Sequence, residues 1–195
     1  MSQVHVRVAE YENPTANVRW DEDGRSVICK IDYATQSLRH ASNPDLRQLI
    51  DEQFDIRAPE YVINAGMLSM LFDSGKRIKA FDFYTNPEQW TVCSIPFVDA
   101  APRSLHVDTV FDENGQGESM PEPAALYEPL RGTLYLSWDD VSTWYAVAPP
   151  LALGVTDDDR LAQIRLDGLH LQQDMAKQNP AGLWTRLRRR FGHSR

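Results

Sequence analysis

The sequence predicts an α+β fold, one antiparallel or mixed sheet packed with three to four helices in a single domain. Three observations carry that expectation. Residues 43–54 and 64–75 set apolar side chains at helical spacing behind capping residues. Several other stretches alternate apolar and polar residues with period two. Short turns separate those alternating stretches, which is the pattern of an antiparallel meander. With 195 residues, 42% apolar and 10% aromatic, the chain can bury one sizeable core.

Val4, Val6 and Val8 alternate with His5 and Arg7, as in a half-buried strand, and Asn13-Pro14 ends it. Val18 and Trp20, a turn at Asp21–Gly24, then Val27, Cys29 and Ile31 predict a β-hairpin. Asn43-Pro44-Asp45 supplies a cap, a proline at the first helical position and an acid in the first turn; Leu46, Leu49, Ile50 and Phe54 form the stripe of that helix.

The stretch 61–84 reads as a buried helix running into a buried strand. Asn64 is its cap, Met67, Leu68, Leu71 and Phe72 recur at helical spacing, and Gly75 supplies a left-handed stop. Ile78, Ala80, Phe81, Phe83 and Tyr84 follow as the strand.

Asn86-Pro87 turns the chain, and Thr91, Cys93, Ile95 and Phe97 fall on one face of a further strand, with Pro96 suiting an edge or an end. Leu105, Val107, Thr109 and Phe111 alternate with His106, Asp108 and Val110. Residues 112–132, with their prolines, glycines and acids, read as one long irregular loop of the kind that carries function. Leu134, Leu136 and Trp138, then Trp144, Ala146 and Ala148, resume the sheet until Pro149-Pro150 stops it.

Thr156 followed by three aspartates reads as another helix start. Beyond it one long helix competes with a short helix to about Arg165, a stop at Gly168 and a short strand; the second is the reading adopted. The domain organisation is therefore a domain over 1–179 and a basic amphipathic tail over 180–195.

Charge narrows the function classes. The chain nets −8, and residues 183–195 carry five arginines and no acid, so residues 1–182 net −13. Such a body disfavours broad nucleic-acid binding and suits a basic partner. In the tail Leu183, Leu187 and Phe191 recur every four residues, with Trp184 beside them and Arg186, Arg188, Arg189 and Arg190 between. That pattern suits contact with anions or a membrane surface, or docking on the acidic body. No apolar run approaches the ~20 residues that span a bilayer. Without a basic-then-apolar N-terminus no secretory signal is expected, and two cysteines far apart fit reduced thiols in a cytoplasmic setting.

Candidate chemistry is sparse. His106-x-Asp108 puts an imidazole and a carboxylate on one strand face, where His170, Asp112 or Glu113 could complete an acid–base or metal set. Two polar residues on an outer strand face explain it equally. The five histidines never pair at ligand spacing, Gly115-x-Gly117 lacks the strand and helix of a phosphate cradle, and neither cysteine has a CxxC partner. No catalytic, cofactor or metal residue is assigned. The expected contact residues are acids in loops and turns: Asp112, Glu113, Glu118, Glu122, Glu128, Asp139, Asp140, Asp157, Asp158 and Asp159.

The order Met67-Leu68, Leu71-Phe72, then Phe81 and Phe83, with Leu161, Ile164, Gly168, Leu169 and Leu171 nearer the C-terminus, resembles one family of bacterial polymorphic-toxin immunity proteins over about a third of the chain. The resemblance implies a cytoplasmic, non-enzymatic protein that neutralises a cognate toxin by direct binding. It carries over no functional residue, and the arginine-rich tail is not part of it. The alternatives are an enzyme or small-ligand protein built around His106 and Asp108, and a scaffold held at a membrane by the tail.

Overall fold

The computed structural model describes residues 4–33, 60–169 and 171. The expected helix over 43–54 and the tail from 180 lie outside them. Among the described residues fourteen strands make up nearly all the regular structure: β1 His5–Ala9, β2 Thr15–Asp21, β3 Ser26–Asp32, β4 Tyr61–Ala65, β5 Leu68–Phe72, β6 Ile78–Tyr84, β7 Thr91–Val92, β8 Ala101–Pro102, β9 Ser104–Asp108, β10 Ala124–Glu128, β11 Thr133–Ser137, β12 Thr143–Ala148, β13 Leu151–Val155 and β14 Leu161–Leu166. They form a five-stranded sheet in the order β2-β3-β6-β5-β4, a seven-stranded sheet in the order β7-β10-β11-β14-β13-β12-β8, and a two-stranded ribbon of β1 and β9. Among the described residues the helical content is the single 3-10 turn Pro87–Gln89, capped by the Asn86 side chain. The expected α+β class is thus corrected to a β-rich fold.

The largest correction falls on 61–84, which is a three-stranded meander. Ile63 and Ala65, then Leu68, Met70 and Phe72, then Ile78, Phe81 and Phe83 are buried in the core, a period of two broken once between Ile78 and Phe81 by the β5–β6 register shift and concealed by the almost wholly apolar Leu68–Phe72. Gly66, not Asn64, is the informative residue. At φ +59 it takes the first central position of a two-residue hairpin loop, where positive φ matches the twist of the strands. Gly75 is likewise not the left-handed residue; Lys76 is, at φ +62. Asp73 Oδ1 organises that turn by accepting from the amides of Gly75 and Arg77.

A second correction concerns 156–166. Thr156–Arg160 is the turn of a hairpin, closed by Thr156 Oγ1 accepting from Arg160 N at 3.0 Å and by Asp159 at φ +58. Leu161–Leu166 is β14, and it reads as helical because its side chains are buried on both faces. Residues 112–132 are not one loop either: β10 occupies 124–128, and Gln116 and Met120 bridge to Val62 and Ala65 along the edge of β4. The strand expected over 91–97 shrinks to Thr91–Val92, after which residues 93–100 cross the seven-stranded sheet as a strap.

The hairpin read from alternation, β2 with β3, stands, and β11 and β12 stand as two separate strands that do not pair with each other. One apolar cluster joins all three sheets. Val6, Leu105 and Val107 of the ribbon meet Met70, Phe72 and Ile78 of the five-stranded sheet and Leu153 and Leu161 of the seven-stranded sheet around a cavity of ≈ 10 Å³. The ribbon is therefore the seam between the sheets. Its inner face is core, which leaves its outer face to carry the polar residues.

Candidate functional site

Antiparallel register fixes that outer face. His5 stands opposite Asp108 and Arg7 opposite His106, so all four side chains share one side of the ribbon. Flanking bridges extend the rows, His5 to Arg160 on one side and His106 to Arg77 on the other. The result is two cross-strand rows, Asp108–His5–Arg160 and His106–Arg7 with Arg77 beyond.

Partners inside the protein use up part of this charge. Arg77 is paired with Glu12 and with Asp73, the latter at 2.6 Å, and lies over the Tyr33 ring at 4.3 Å. His106 Nδ1 donates to the Gly75 carbonyl at 2.7 Å; a carbonyl only accepts, so this nitrogen carries the proton and orients the ring toward the β5–β6 turn. Arg160 Nε donates to Asp158 Oδ2 at 2.7 Å, and its Nη2 lies 3.9 Å from Asp139. The Arg160 hydrogen bond, with that of the Thr156 hydroxyl, holds the Asp158 carboxyl below its usual range.

What remains is an open cleft of ≈ 540 Å³ lined by His5, Val6, Arg7, Val8, Asp108, Asp158 and Asp159. Asp108, Asp158 and Asp159 are exposed residues that line it, and Asp157, next to Asp158 in the chain, is exposed as well. No group of three or more His, Cys, Asp or Glu among the described residues is spaced to hold a metal ion. His106 and Asp108 are not convergent in an enclosed pocket: the first is tied to Gly75 and the second faces the open cleft. His170 lies outside the described residues. The arrangement can exchange protons and form charge-assisted hydrogen bonds with a polar or cationic surface.

The acids singled out in the sequence fall into three kinds. Glu113, Glu118, Asp140 and Asp157 are exposed. Asp112, Asp139, Asp158 and Asp159 are turn residues: Asp112 Oδ1 accepts from Asn114 N at 2.9 Å and Gln116 N at 2.8 Å, and Asp139 Oδ1 from Asp140 N at 3.0 Å. Glu122 is exposed, with its side chain close to Gly66. Glu128 is buried, its two oxygens accepting from the amides of Leu130 and Arg131 to close the β10–β11 turn, so its carboxylate is structural. Trp184, Arg186, Arg188, Arg189 and Arg190 lie outside the described residues.

The structure also connects what the sequence left scattered. Trp138 Nε1 donates to the Pro121 carbonyl at 2.7 Å, bringing the 118–122 acids beside Asp139 and Asp140. Arg160 links Asp139 to Asp158, and the Asp159 carbonyl accepts from Val6 N at 2.8 Å beside the His5–Asp108 pair. A band of carboxylates therefore runs from Glu118 to Asp108.

No family model and no curated protein sequence matches this chain. The residues that sequence reading missed are His5, Arg7 and Arg160. Their one visible signal is the pair of alternating stretches Val-His-Val-Arg-Val and Leu-His-Val-Asp, whose register no sequence pattern fixes.

Proposed function

We propose that this chain is a non-enzymatic protein-binding module whose partner is basic, acting in the cytoplasm by direct contact. The observation that supports the reading is the carboxylate band from Glu118 through Asp139, Asp140 and Asp157–Asp159 to Asp108, mounted on turns that a β-rich core holds in place. The chain carries 28 Asp and Glu against 20 Lys and Arg, a net charge of −8, so its overall field is negative and speeds encounter with a cation-rich surface. Lysine or arginine side chains of the partner fit the cleft between Asp108 and Asp159. A cognate toxin is the specific partner that the immunity-protein resemblance names. The stretches quoted for it fall on the strands Leu68–Phe72 and Leu161–Leu166, with Met67 in the turn before the first, so charge and loop geometry carry the binding reading.

The test is capture of the tagged full chain from its native host at low and at about 0.5 M salt, where the Debye length falls to a few ångströms. The expected result is one stoichiometric basic protein, retained at low salt, released at high salt, and lost with the pair Asp108→Lys and Asp157→Lys. A partner retained equally by that variant, or the absence of any stoichiometric protein at low salt, overturns the reading.

A further inference from the structure

Among the described residues one long sheet edge is open. β2 pairs with β3 from Thr15 to Asp21 and has no strand on its other side. No backbone hydrogen bond reaches its seven residues from outside β3. The other edges are short or covered. β4 is bridged by Gln116 and Met120, β1 by Arg160 and β9 by Arg77, while β7 and β8 are two residues each.

β2 also lacks the devices that guard such an edge: a proline within the strand, a bulge, or a charge pointing inward. Its proline, Pro14, stands before the first residue, and the register with β3 runs unbroken from end to end. Ala16, Val18 and Trp20 pack against the core and are half-buried. Thr15, Asn17 and Arg19 alternate with them on the outer face and are exposed. A strand laid along this edge must therefore present apolar side chains on one face and polar ones on the other, at matching positions.

We infer that this edge pairs with the same edge of a second copy, antiparallel about a two-fold axis, so that the two five-stranded sheets run on as one. The strand's own sequence selects that occupant. Full overlap of Thr15–Asp21 with its copy puts the axis at Val18 and sets Ala16 opposite Trp20, Asn17 opposite Arg19 and Thr15 opposite Asp21 of the other copy. Apolar then meets apolar, with the smallest of the three side chains against the largest, and no charge faces its like. Neighbouring registers fail. A slip of one residue puts the apolar faces of the two copies on opposite sides of the joined sheet. A slip of two sets Arg19 against Arg19 in one direction, and in the other sets Trp20 against Pro14, which has no N–H to pair. Seven residues a side make an interface at the small end of the specific ones, and the dimer is accordingly one of micromolar strength.

Sedimentation velocity of the full chain from about 1 to 200 μM tests this, a range that brackets such an affinity. The expected result is a concentration-dependent monomer–dimer equilibrium. Asn17→Lys faces Arg19 of the other copy twice across the axis, so it weakens the dimer, by about 2- to 30-fold. Adding Arg19→Glu makes both contacts attractive and restores at least the wild-type strength. Ser69→Lys puts the same charge on an exposed residue of β5, away from the edge, and does not weaken it. Thermal melts of all three variants establish that they are folded. A wild-type chain that stays monomeric across the range overturns the inference. So does a dimer that folded Asn17→Lys leaves at full strength, that the added Arg19→Glu does not restore, or that Ser69→Lys weakens equally.

Discussion

Arg77 shows what single residues contribute to positioning the site. It reaches three separate elements: Glu12 on the β1–β2 connection, Asp73 in the β5–β6 turn and the face of Tyr33 after β3. Its bridge partner is His106, so the guanidinium is a brace behind the ribbon's outer face. Arg77→Met leaves two carboxylates facing each other without their cation, and the expected loss is about 1–3 kcal/mol of unfolding free energy by chemical denaturation. Arg77→Lys recovers only part of it, because an ammonium cannot serve both carboxylates and stack on the ring at once. The two free thiols report burial directly. Cys93 is half-buried and Cys29 fully buried, so a thiol reagent titrates Cys93 in the native protein and Cys29 only after denaturant is added. Burial pushes the Cys29 thiol up to about 12, against about 8.5 in an unfolded chain. Between those values the unfolded state has lost a proton that the native state keeps, so stability falls as pH rises from about 9 towards 12, by up to about 1.4 kcal/mol per pH unit from this group. Cys29→Ala is expected to be less stable at pH 7 and to lose stability more slowly above pH 9; parallel curves for the two proteins would contradict the assignment.

At the scale of elements, the β4–β5 hairpin shows both what was legible and what was not. Alternation identified the hairpin of β2 and β3 and the strands β1, β9, β11 and β12, because each has one polar or half-buried face. It failed at β5, where Leu71 beside Ser69 on the outer face blurs the alternation, and at β14, where Leu161 and Ile164 stand at helical spacing although Gln163 and Arg165 share one strand face. Gly66 held the missing signal. A Cβ there would stand 2.5 Å from Glu122 Cβ, on a backbone at φ +59. Gly66→Ala is therefore expected to cost about 1–3 kcal/mol, from strain and overpacking together. Glu122→Ala in the same chain should not restore the loss, since the nearest atom is the β-carbon that alanine keeps. Full recovery in that double mutant, measured by thermal or chemical denaturation, would show that the side-chain end and not the backbone sets the limit. The site followed the same division. Asp108 and Asp157–Asp159 were visible as polar residues on turns and strand faces, whereas the pairing that adds His5, Arg7 and Arg160 to them is a property of register.

Charge acts at the scale of the whole molecule, and there it separates folding from binding. The chain carries 28 acids against 20 bases, and Arg77, Arg131 and Arg160 already sit in pairs with carboxylates. The unpaired excess is negative and largely exposed, so it repels itself in the compact state more than in an extended chain. Raising ionic strength from about 10 mM to 0.3 M shortens the screening length from about 30 Å to below 10 Å and removes much of that repulsion. The melting temperature should rise, by about 2–4 °C for each kcal/mol of repulsion screened in a chain of this size. Asp108→Asn with Asp157→Asn removes two of the charges in the band, so the variant should melt higher at low salt and respond less to added salt. Sodium chloride and a neutral osmolyte, compared at equal osmolality, distinguish screening from exclusion of solute, since only the salt acts on charge. The same titration has the opposite sign for the proposed partner, whose capture weakens as the band's field is screened. A melting temperature indifferent to salt, together with a partner that dissociates in salt, would place the attraction in a few close ion pairs at the cleft rather than in the charge of the whole surface.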